Sequence, residues 1–600
     1  MSQNHKIPKR SELKPEDTWS TEDLYPSDEA WKEAFAAAKE EAEKLTGYRG
    51  RLAESGRLLY HYFQEKESAE EAVERLYTYA SLKSDEDTKN SVYQGMKGQI
   101  LSWLVQWQQE MAFETPELIA LPEERLEEFF QAEPALSLYR RYLTVIRRRK
   151  SHILSQPEEE LLAAAGEMAD APDRIYGNFV NADLTFPSVR DVAGNLLPLT
   201  NGSYGTLMLS QDRALREEAF RNLYSTYEKF KNTTAATLNA HVRQNIFFAR
   251  ARKYDSCLEA ALDRTEVPVS VYHQLIQAVH ENMEPMYRYM AFRKKQMQLD
   301  ELHMYDLYVP MVGDAEEKIP FDRARDEVVE AMGVLGEEYQ SVLKSSFEQR
   351  WMDIYENEGK RSGAYSCGAK VHPFVLLNHK DTLNSEFTLV HEMGHAMHSY
   401  LSNKNQPAVY ADYVIFVAEV ASTCNEALLM NYLLQRTEDK KQRAYLLNYF
   451  LEQFRTTLYR QTMFAEFEEK IHRLAEEGET LTADVLKKLY YELNLLYYGK
   501  DMVVDEEIAI EWARVPHFYY NFYVYQYSTG FAAAIALSRK IIAEGQPAVE
   551  NYLRFLKSGC SEDPISLLKM AGVDMTTAEP VEKALQYFSE LLAEFEELMA

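Results

Sequence analysis

Glycine, proline and cysteine are scarce in this chain of 600 residues, which contains 23, 20 and 4 of them. So few glycines and prolines leave too few turn residues for many short strands, which argues against an all-β protein. The four cysteines (Cys257, Cys367, Cys424 and Cys560) form no CxxC pair. A secreted chain of this size usually carries more, so the sequence favours a reducing compartment, and we expect a cytoplasmic protein.

Long basic runs and an apolar leader are also missing. The net charge is −29 and no basic run exceeds Arg147–Lys150, so nucleic acid is not an expected partner. The first 19 residues contain no apolar core of a signal peptide. The uncharged stretch Val515–Ser538 is long enough to cross a bilayer, but it is rich in hydroxyl and amide groups. We therefore expect a buried segment there and no membrane partner.

Helical periodicity is abundant instead. Apolar residues make up 46% of the chain, enough for a large core. Trp31–Leu45, Arg213–Ala251 and Val269–Leu299 are among the stretches in which apolar residues recur at helical spacing. These patterns predict a mainly helical, all-α fold.

One segment departs from the helical pattern. In Asn181–Thr206, alternating residues flank the turn-forming Ala193-Gly194-Asn195, which predicts a β-hairpin. We place the main boundary near this segment. It separates an N-terminal helical domain, residues 1–200, from a second domain, residues 201–600.

Residues 391–395 read His-Glu-Met-Gly-His, an HExxH motif. With 14 histidines and at most 95 glutamates, about 0.05 copies are expected by chance. Four residues apart on a helix, His391 and His395 share a face and can reach one ion. Glu392 lies one position round, where its carboxylate can hold a water molecule and take its proton. The motif predicts a zinc site that needs a third ligand.

Two candidates for the third ligand lie on the next predicted helix, Asp412–Leu433. His398 is excluded because it lies seven residues, roughly 10 Å of helix rise, from His391. We expect it to support the ligands or to face the substrate. Glu419 and Glu426 are the only glutamates of the next helix and share one of its faces. Spacing alone does not choose between them.

Several motifs resemble one metallopeptidase family. HEMGHAMHSY, followed about 25 residues later by FVAEVASTCNEALL, is similar to the family that includes thimet oligopeptidase. KRSGAYSCG, FVLLN, NQPAVYADY and HFYYNFYVYQYSTG resemble its oligoendopeptidase F branch in particular, and the likeness runs from Trp19–Tyr25 to the C-terminal helices. The resemblance implies that Glu419 is the third zinc ligand and that Glu426 supports a ligand histidine by hydrogen bonding.

The same resemblance assigns the residues that face the zinc. The family uses a histidine followed by tyrosines to stabilise the oxyanion of the tetrahedral intermediate. His517 matches that histidine, and the family's four-residue step fits Tyr523 and Tyr527 better than Tyr520. Gly363, at the start of a segment ending at Cys367, is expected to present backbone groups to an extended peptide.

The resemblance implies two helical lobes around a deep channel, one Zn²⁺ per chain, and an endopeptidase that hydrolyses internal bonds of short oligopeptides. One alternative is an M3-type peptidyl-dipeptidase or carboxypeptidase, which would require a basic residue that the sequence does not locate. The other is a non-catalytic helical peptide-binding protein, expected to lose Glu392 or a ligand. Whether the chain is a monomer or a homo-oligomer is left open.

Overall fold

The computed structural model describes residues 7–313 and 317–600, and these residues are mostly helical, which confirms the predicted fold class. The α-helices are α1 (Asp28–Leu45), α2 (Gly56–Glu86), α3 (Ser91–Met111), α4 (Glu114–Ala120), α5 (Glu123–Ala132), α6 (Arg140–Arg148), α7 (Gln156–Ala169), α8 (Ala171–Asn178), α9 (Asn201–Met208), α10 (Arg213–Glu228), α11 (Lys231–Ala251), α12 (Cys257–Asp263), α13 (Val269–Glu281), α14 (Glu284–Gln296), α15 (Phe321–Ala331), α16 (Glu337–Glu348), α17 (Leu383–Asn405), α18 (Ala408–Ala411), α19 (Ile415–Arg436), α20 (Lys440–Gln453), α21 (Arg460–Glu476), α22 (Ala483–Tyr498), α23 (Tyr525–Glu544), α24 (Gln546–Leu556), α25 (Pro564–Ala571) and α26 (Glu579–Met599). The strands are β1 (Val189–Arg190), β2 (Leu196–Leu197), β3 (Leu302–His303), β4 (Met352–Asp353), β5 (Tyr365–Cys367), β6 (Phe374–Leu376) and β7 (Met502–Val503).

The chain divides into two compact units whose segments alternate along the sequence. The first unit consists of Met1–Ser151, Glu316–Leu429 and Leu537–Gly572. The second consists of His152–Ala315, Met430–Ala536 and Val573–Ala600. The domain boundary near residue 200, placed at a change in the sequence pattern, stays a prediction.

In the first unit, a three-stranded sheet precedes the HExxH helix. Its strand order is β4-β6-β5, with β4 parallel and β5 antiparallel to β6. Phe374, Val375 and Leu376 of β6 are fully buried, as expected for a continuous apolar run in a central strand. β5 therefore forms one edge of this sheet.

In the second unit, the predicted hairpin is confirmed. Val189 pairs with Leu197 and Arg190 with Leu196, antiparallel across the turn at 193–195. The stretch 269–299 contains two helices, α13 and α14, because Pro285 lacks a backbone N–H and lies in the first turn of α14. The stretch 213–251 likewise contains two, α10 and α11.

The uncharged stretch 515–538 does not form one long helix. A 3₁₀-helix covers Pro516–Tyr519, and α23 begins only at Tyr525. Within the described ranges 7–313 and 317–600, no helix is both long and apolar enough to cross a membrane.

Candidate metal centre

The HExxH motif lies in the middle of α17, and α19 packs closely against it. The side chain of Thr382 caps the start of α17 by accepting a hydrogen bond from the backbone N–H of Ser385. A Cβ atom at Gly394 would lie 2.5 Å from Cα of Ser422 in α19. Only glycine permits this approach, which brings the glutamates of α19 to the histidines of α17.

Three side chains converge at this helix contact. Nε2 of His391 lies 3.3 Å and Nε2 of His395 lies 3.5 Å from Oε2 of Glu419. The three candidate ligand atoms all lie within 4.8 Å of one another, and no other such group of three occurs among the described residues. Two imidazole nitrogens and one carboxylate oxygen at this spacing form a donor set that fits a single divalent ion such as zinc.

Glu426 occupies a different position. Its Oε1 lies 2.5 Å from Nδ1 of His391, the ring nitrogen on the opposite side from Nε2. The structure thus places Glu419 with the ligand atoms and Glu426 behind His391, an arrangement that orients the ring.

Contacts within the cluster shift the pKa values of His391 and Glu419 in opposite directions. Burial disfavours the charged form of His391, but hydrogen bonds with Glu419 and Glu426 outweigh burial and raise the pKa of His391 well above its usual value. Burial acts in the opposite direction on Glu419, and its contacts with His391 and His395 hold the pKa of that carboxyl far below its usual range. The carboxylate of Glu419 therefore keeps its negative charge at the position where a cation would bind.

Glu392 and His398 lie on the same helix, outside the ligand group. Glu392 is 7% exposed, and burial raises its pKa against the opposing attraction of His391 and His395. His398 is buried and stacked on Tyr413, with ring centroids 3.8 Å apart. Burial lowers the pKa of His398 to about 3, so the ring is uncharged near neutral pH.

His517 lies on the 3₁₀-helix of the second unit, and all three candidate tyrosines surround its ring. Oη of Tyr527 lies 3.3 Å from Nε2 of His517. The Tyr523 ring is near parallel to the imidazole with centroids 6.3 Å apart, and the Tyr520 ring lies 5.6 Å away. Tyr520 is 52% exposed. Burial lowers the pKa of His517, which favours the neutral ring.

A left-handed turn connects His517 to Tyr523. Asn521 and Phe522 have φ angles of 52° and 59°, which residues other than glycine rarely adopt. The backbone N–H of Phe522 donates to Oε1 of the buried Glu468 over 2.6 Å. Sequence analysis missed Glu468, because nothing in its local pattern indicates a partner 54 residues away.

The edge strand β5 follows Gly363, a residue predicted to contact the substrate. Gly363 is exposed, with a φ of +86°, and its carbonyl accepts a hydrogen bond from Nδ2 of Asn378 over 2.8 Å. Within the ranges 7–313 and 317–600, no strand pairs with the outer side of β5, and an unpaired strand edge is a surface to which an extended peptide can add.

Comparison with known proteins assigns the family. The family model for peptidase family M3 matches residues 206–587, and the model named Oligopeptidase F matches residues 117–186. The chain belongs to peptidase family M3. The predicted resemblance is thereby confirmed, and the chain is a peptidase. M3 peptidases are metallopeptidases, so the histidine and glutamate cluster lies in a metallo-oligopeptidase.

Relatives match this M3 peptidase over nearly its whole length. Oligopeptidase PepF of Bacillus subtilis (strain 168) is 48% identical over 596 residues, which cover 99% of this chain and 89% of the relative. The Oligoendopeptidase F homolog of Lactococcus lactis subsp. lactis (strain IL1403) is 40% identical over 98% of both chains. Among solved structures, oligoendopeptidase-F from Enterococcus faecium is 38% identical, covers 95% of this chain and 99% of its own, and superposes with a TM-score of 0.74.

Proposed function

We propose that this M3 peptidase is a zinc-dependent cytoplasmic endopeptidase that hydrolyses internal bonds of short peptides. The observation that supports the proposal best is the meeting of His391 Nε2, His395 Nε2 and a Glu419 oxygen within 4.8 Å. No disulfide joins the four cysteines among the described residues, in keeping with a reducing compartment. Short peptides as substrates follow from the similarity to the relatives named oligoendopeptidase F.

His391, His395 and Glu419 would hold one Zn²⁺ per chain. When bound, zinc would supply Lewis acidity for the hydrolysis of the peptide bond. Glu426 accepts a hydrogen bond from Nδ1–H of His391, which keeps the Nε2 lone pair free for the ion and fixes the ring orientation. The same donor set accepts cobalt or manganese, so the metal content must be measured.

Glu392 is the general base and then the general acid. Its carboxylate takes a proton from the attacking water and delivers it to the leaving amine nitrogen. Burial of Glu392 raises its affinity for that proton, because the charged form is poorly solvated. Its side chain is not part of the ligand group and is therefore free for proton transfer.

His517 and the tyrosines donate hydrogen bonds to the carbonyl oxygen as it becomes negative. A neutral imidazole carries one N–H, and burial favours that neutral form of His517. Tyr527 lies within hydrogen-bond distance of His517 and can orient its ring, while Tyr523 supplies a second hydroxyl. Neutral phenols are suitable donors because they carry no charge, so no ionic solvation is lost when the substrate displaces water.

The edge of β5 is the proposed docking strand for the peptide. An extended substrate would pair with the backbone of Tyr365–Cys367. Such pairing uses main-chain groups and depends little on the side chains of the substrate. Gly363 keeps the approach to this edge free of a side chain. Broad sequence tolerance is therefore expected.

The test is product analysis by mass spectrometry of internally quenched peptides of graded length, each made with a blocked and with a free C-terminus, with and without a chelator. Internal cleavage of blocked peptides that the chelator abolishes and zinc restores supports the proposal. Cleavage only of peptides with a free C-terminus, two residues or one residue from the end, replaces it with the peptidyl-dipeptidase or carboxypeptidase alternative. Chelator-resistant cleavage contradicts the metal assignment.

A further inference from the structure

The second unit contains a cavity of about 410 Å³ that is bounded by His517. Its other walls come from the start of α9, from Tyr308, from α21 and from the segment that precedes His517, all within the same unit. Its volume lies at the lower end of the range of ligand pockets, about 300–1,000 Å³. A cavity of this size accommodates the end of a peptide and not a long segment.

The charges that line this cavity do not cancel. They are the guanidinium groups of Arg460 and Arg514 and the carboxylate of Glu511. Glu511 already accepts hydrogen bonds from Nη2 of Arg460 at 2.7 Å, Oη of Tyr224 at 2.9 Å and Oη of Tyr490 at 2.5 Å. Arg460 and Glu511 thus form a neutral pair, and the positive charge of Arg514 remains.

Among the described residues, the side chains that contact Arg514 are neutral phenols. Its Nη1 lies 3.5 Å from Oη of Tyr224, and its guanidinium carbon lies 4.6 Å from the centroid of the Tyr204 ring. Glu511 attracts Arg514 through space, but no carboxylate of the described residues lies within ion-pair distance of it. The side chain of Arg514 is partly buried. Its guanidinium has five N–H donors, and an anion in the cavity would satisfy donors that the phenols leave unused.

Tyr308 offers a further donor to the same cavity. Its Oη accepts a hydrogen bond from Nε of Arg460 over 3.2 Å, so its own O–H proton is available to a ligand. A guanidinium fork and a phenol that line one cavity match a carboxylate, which has two coplanar oxygens and accepts several hydrogen bonds.

We propose that Arg514 and Tyr308 bind the C-terminal carboxylate of the substrate in this cavity. The inference rests on the proposed function, because His517 bounds the cavity and is assigned to the carbonyl of the cleaved bond. A peptide whose end occupies the cavity has its C-terminus close to that bond. The enzyme therefore prefers short peptides with a free C-terminus over the same peptides with a C-terminal amide.

The experiment compares kcat/KM of the zinc-loaded enzyme for one quenched heptapeptide made as the free acid and as the amide. The wild type is expected to favour the acid roughly 10–100-fold, the range for hydrogen bonds to a charged group. Arg514→Gln should remove most of that preference by slowing cleavage of the acid alone. Tyr308→Phe, which deletes one hydroxyl, should reduce the preference less.

The acid-to-amide ratio within each protein separates recognition from damage, since misfolding lowers both rates equally. Tyr491→Phe is the matched control, because Tyr491 lies in the same unit outside the cavity walls and donates to the carbonyl of Val504. It should keep the wild-type ratio. Equal rates of the wild type on both peptides, or equal loss on both in Arg514→Gln and Tyr308→Phe, would overturn the carboxylate site.

Binding to the inactive Glu392→Gln variant distinguishes failure of this inference from failure of the proposed function. Fluorescence anisotropy with labelled acid and amide peptides reports recognition without turnover. Tighter binding of the acid that is lost on adding Arg514→Gln supports the site even if zinc-loaded wild type cleaves neither peptide. Equal affinities for acid and amide contradict the site even if cleavage is rapid.

Discussion

The buried carboxyl group of Glu468 accepts a hydrogen bond from the backbone N–H of Phe522, with 2.6 Å between Oε1 and N. Phe522 and Asn521 both have left-handed backbone conformations, which cost of the order of 1–3 kcal/mol each and persist only where other contacts impose them. Tyr523 follows directly. Glu468 therefore fixes the turn that positions Tyr523 beside His517.

Two replacements of Glu468 test the role of its hydrogen bond with Phe522. Glu468→Gln keeps an acceptor for Phe522 N–H, and kcat should stay within about threefold of wild type. Glu468→Ala leaves that N–H buried and unpaired, at about 1–3 kcal/mol, and kcat should fall at least tenfold. Steady-state kinetics with circular dichroism as a folding check measures this. Equal activity of the Ala and Gln variants would contradict the positioning role.

The Glu468 side chain should make the free energy of unfolding depend on pH. Burial raises the pKa of Glu468 to about 8, against the hydrogen bond from Phe522 that lowers it. His472, one turn further along α21, is uncharged because burial lowers its pKa to about 3. The folded protein thus binds a proton that the unfolded chain loses near pH 4.5, and the free energy of unfolding falls as pH rises from about 4.5 to 8.

Denaturant unfolding of wild type and Glu468→Gln at several pH values checks this dependence. The Gln variant has no proton to lose at this position, so its stability relative to wild type should increase as pH rises through this window. A constant difference between the two proteins from pH 5 to pH 9 would be inconsistent with a buried carboxyl of raised pKa.

Glu392→Gln should abolish hydrolysis and leave metal binding intact. The amide cannot accept and return the proton, which should lower kcat by about 10²–10⁴-fold. Glu386→Gln is the matched control, because Glu386 is buried on the same helix and lies outside the ligand group. Peptide hydrolysis and elemental analysis for zinc measure the two properties. Loss of zinc from the Glu392 variant would show that its carboxylate supports the ligands instead.

Glu426→Gln should weaken metal binding without removing a ligand. The amide is a poorer acceptor for Nδ1–H of His391, and loss of such a partner lowers metal affinity by about 10–100-fold. Glu419→Gln, which changes a ligand, should weaken affinity more. Zinc competition with a chromophoric chelator gives both values. The reverse order would exchange the roles of the two glutamates.

Gly394→Ala should destabilise the metal centre through backbone packing. The added Cβ would lie 2.5 Å from Cα of Ser422, so α17 and α19 must move apart. Overpacking of this kind costs about 1–3 kcal/mol, and zinc affinity should fall with it. Gly98→Ala on α3 is the control, because its Cβ meets nothing within 4 Å and should stabilise the helix by about 0.5–1 kcal/mol. Thermal unfolding with and without zinc compares the variants.

Much of the site could be predicted locally. The HExxH spacing places His391 and His395 on one face of a helix whatever surrounds it, since 3.6 residues per turn is a property of the backbone. The short turn at Ala193-Gly194-Asn195 likewise predicted the hairpin from neighbouring residues. The family resemblance added Glu419 and His517 to the predicted site residues, but it gave no positions for them in the structure.

Other features depend on contacts between distant segments. No motif in the sequence singles out Arg514, and only the fold shows that Glu511, the nearby acid, is already paired with Arg460. Glu468 and Phe522 are joined by packing of α21 against a turn 54 residues away. Neither relationship leaves a periodic pattern in the sequence from which it could be predicted.

The amino-acid sequence by itself determined that the chain is mainly helical and that two histidines and a glutamate share a short helical motif, because these follow from local backbone geometry. Only the tertiary structure decided that Glu419 lies against both Nε2 atoms while Glu426 lies at Nδ1 of His391. Both glutamates share a face of α19, and their different partners depend on how closely α17 approaches at Gly394, a distance set by packing between helices.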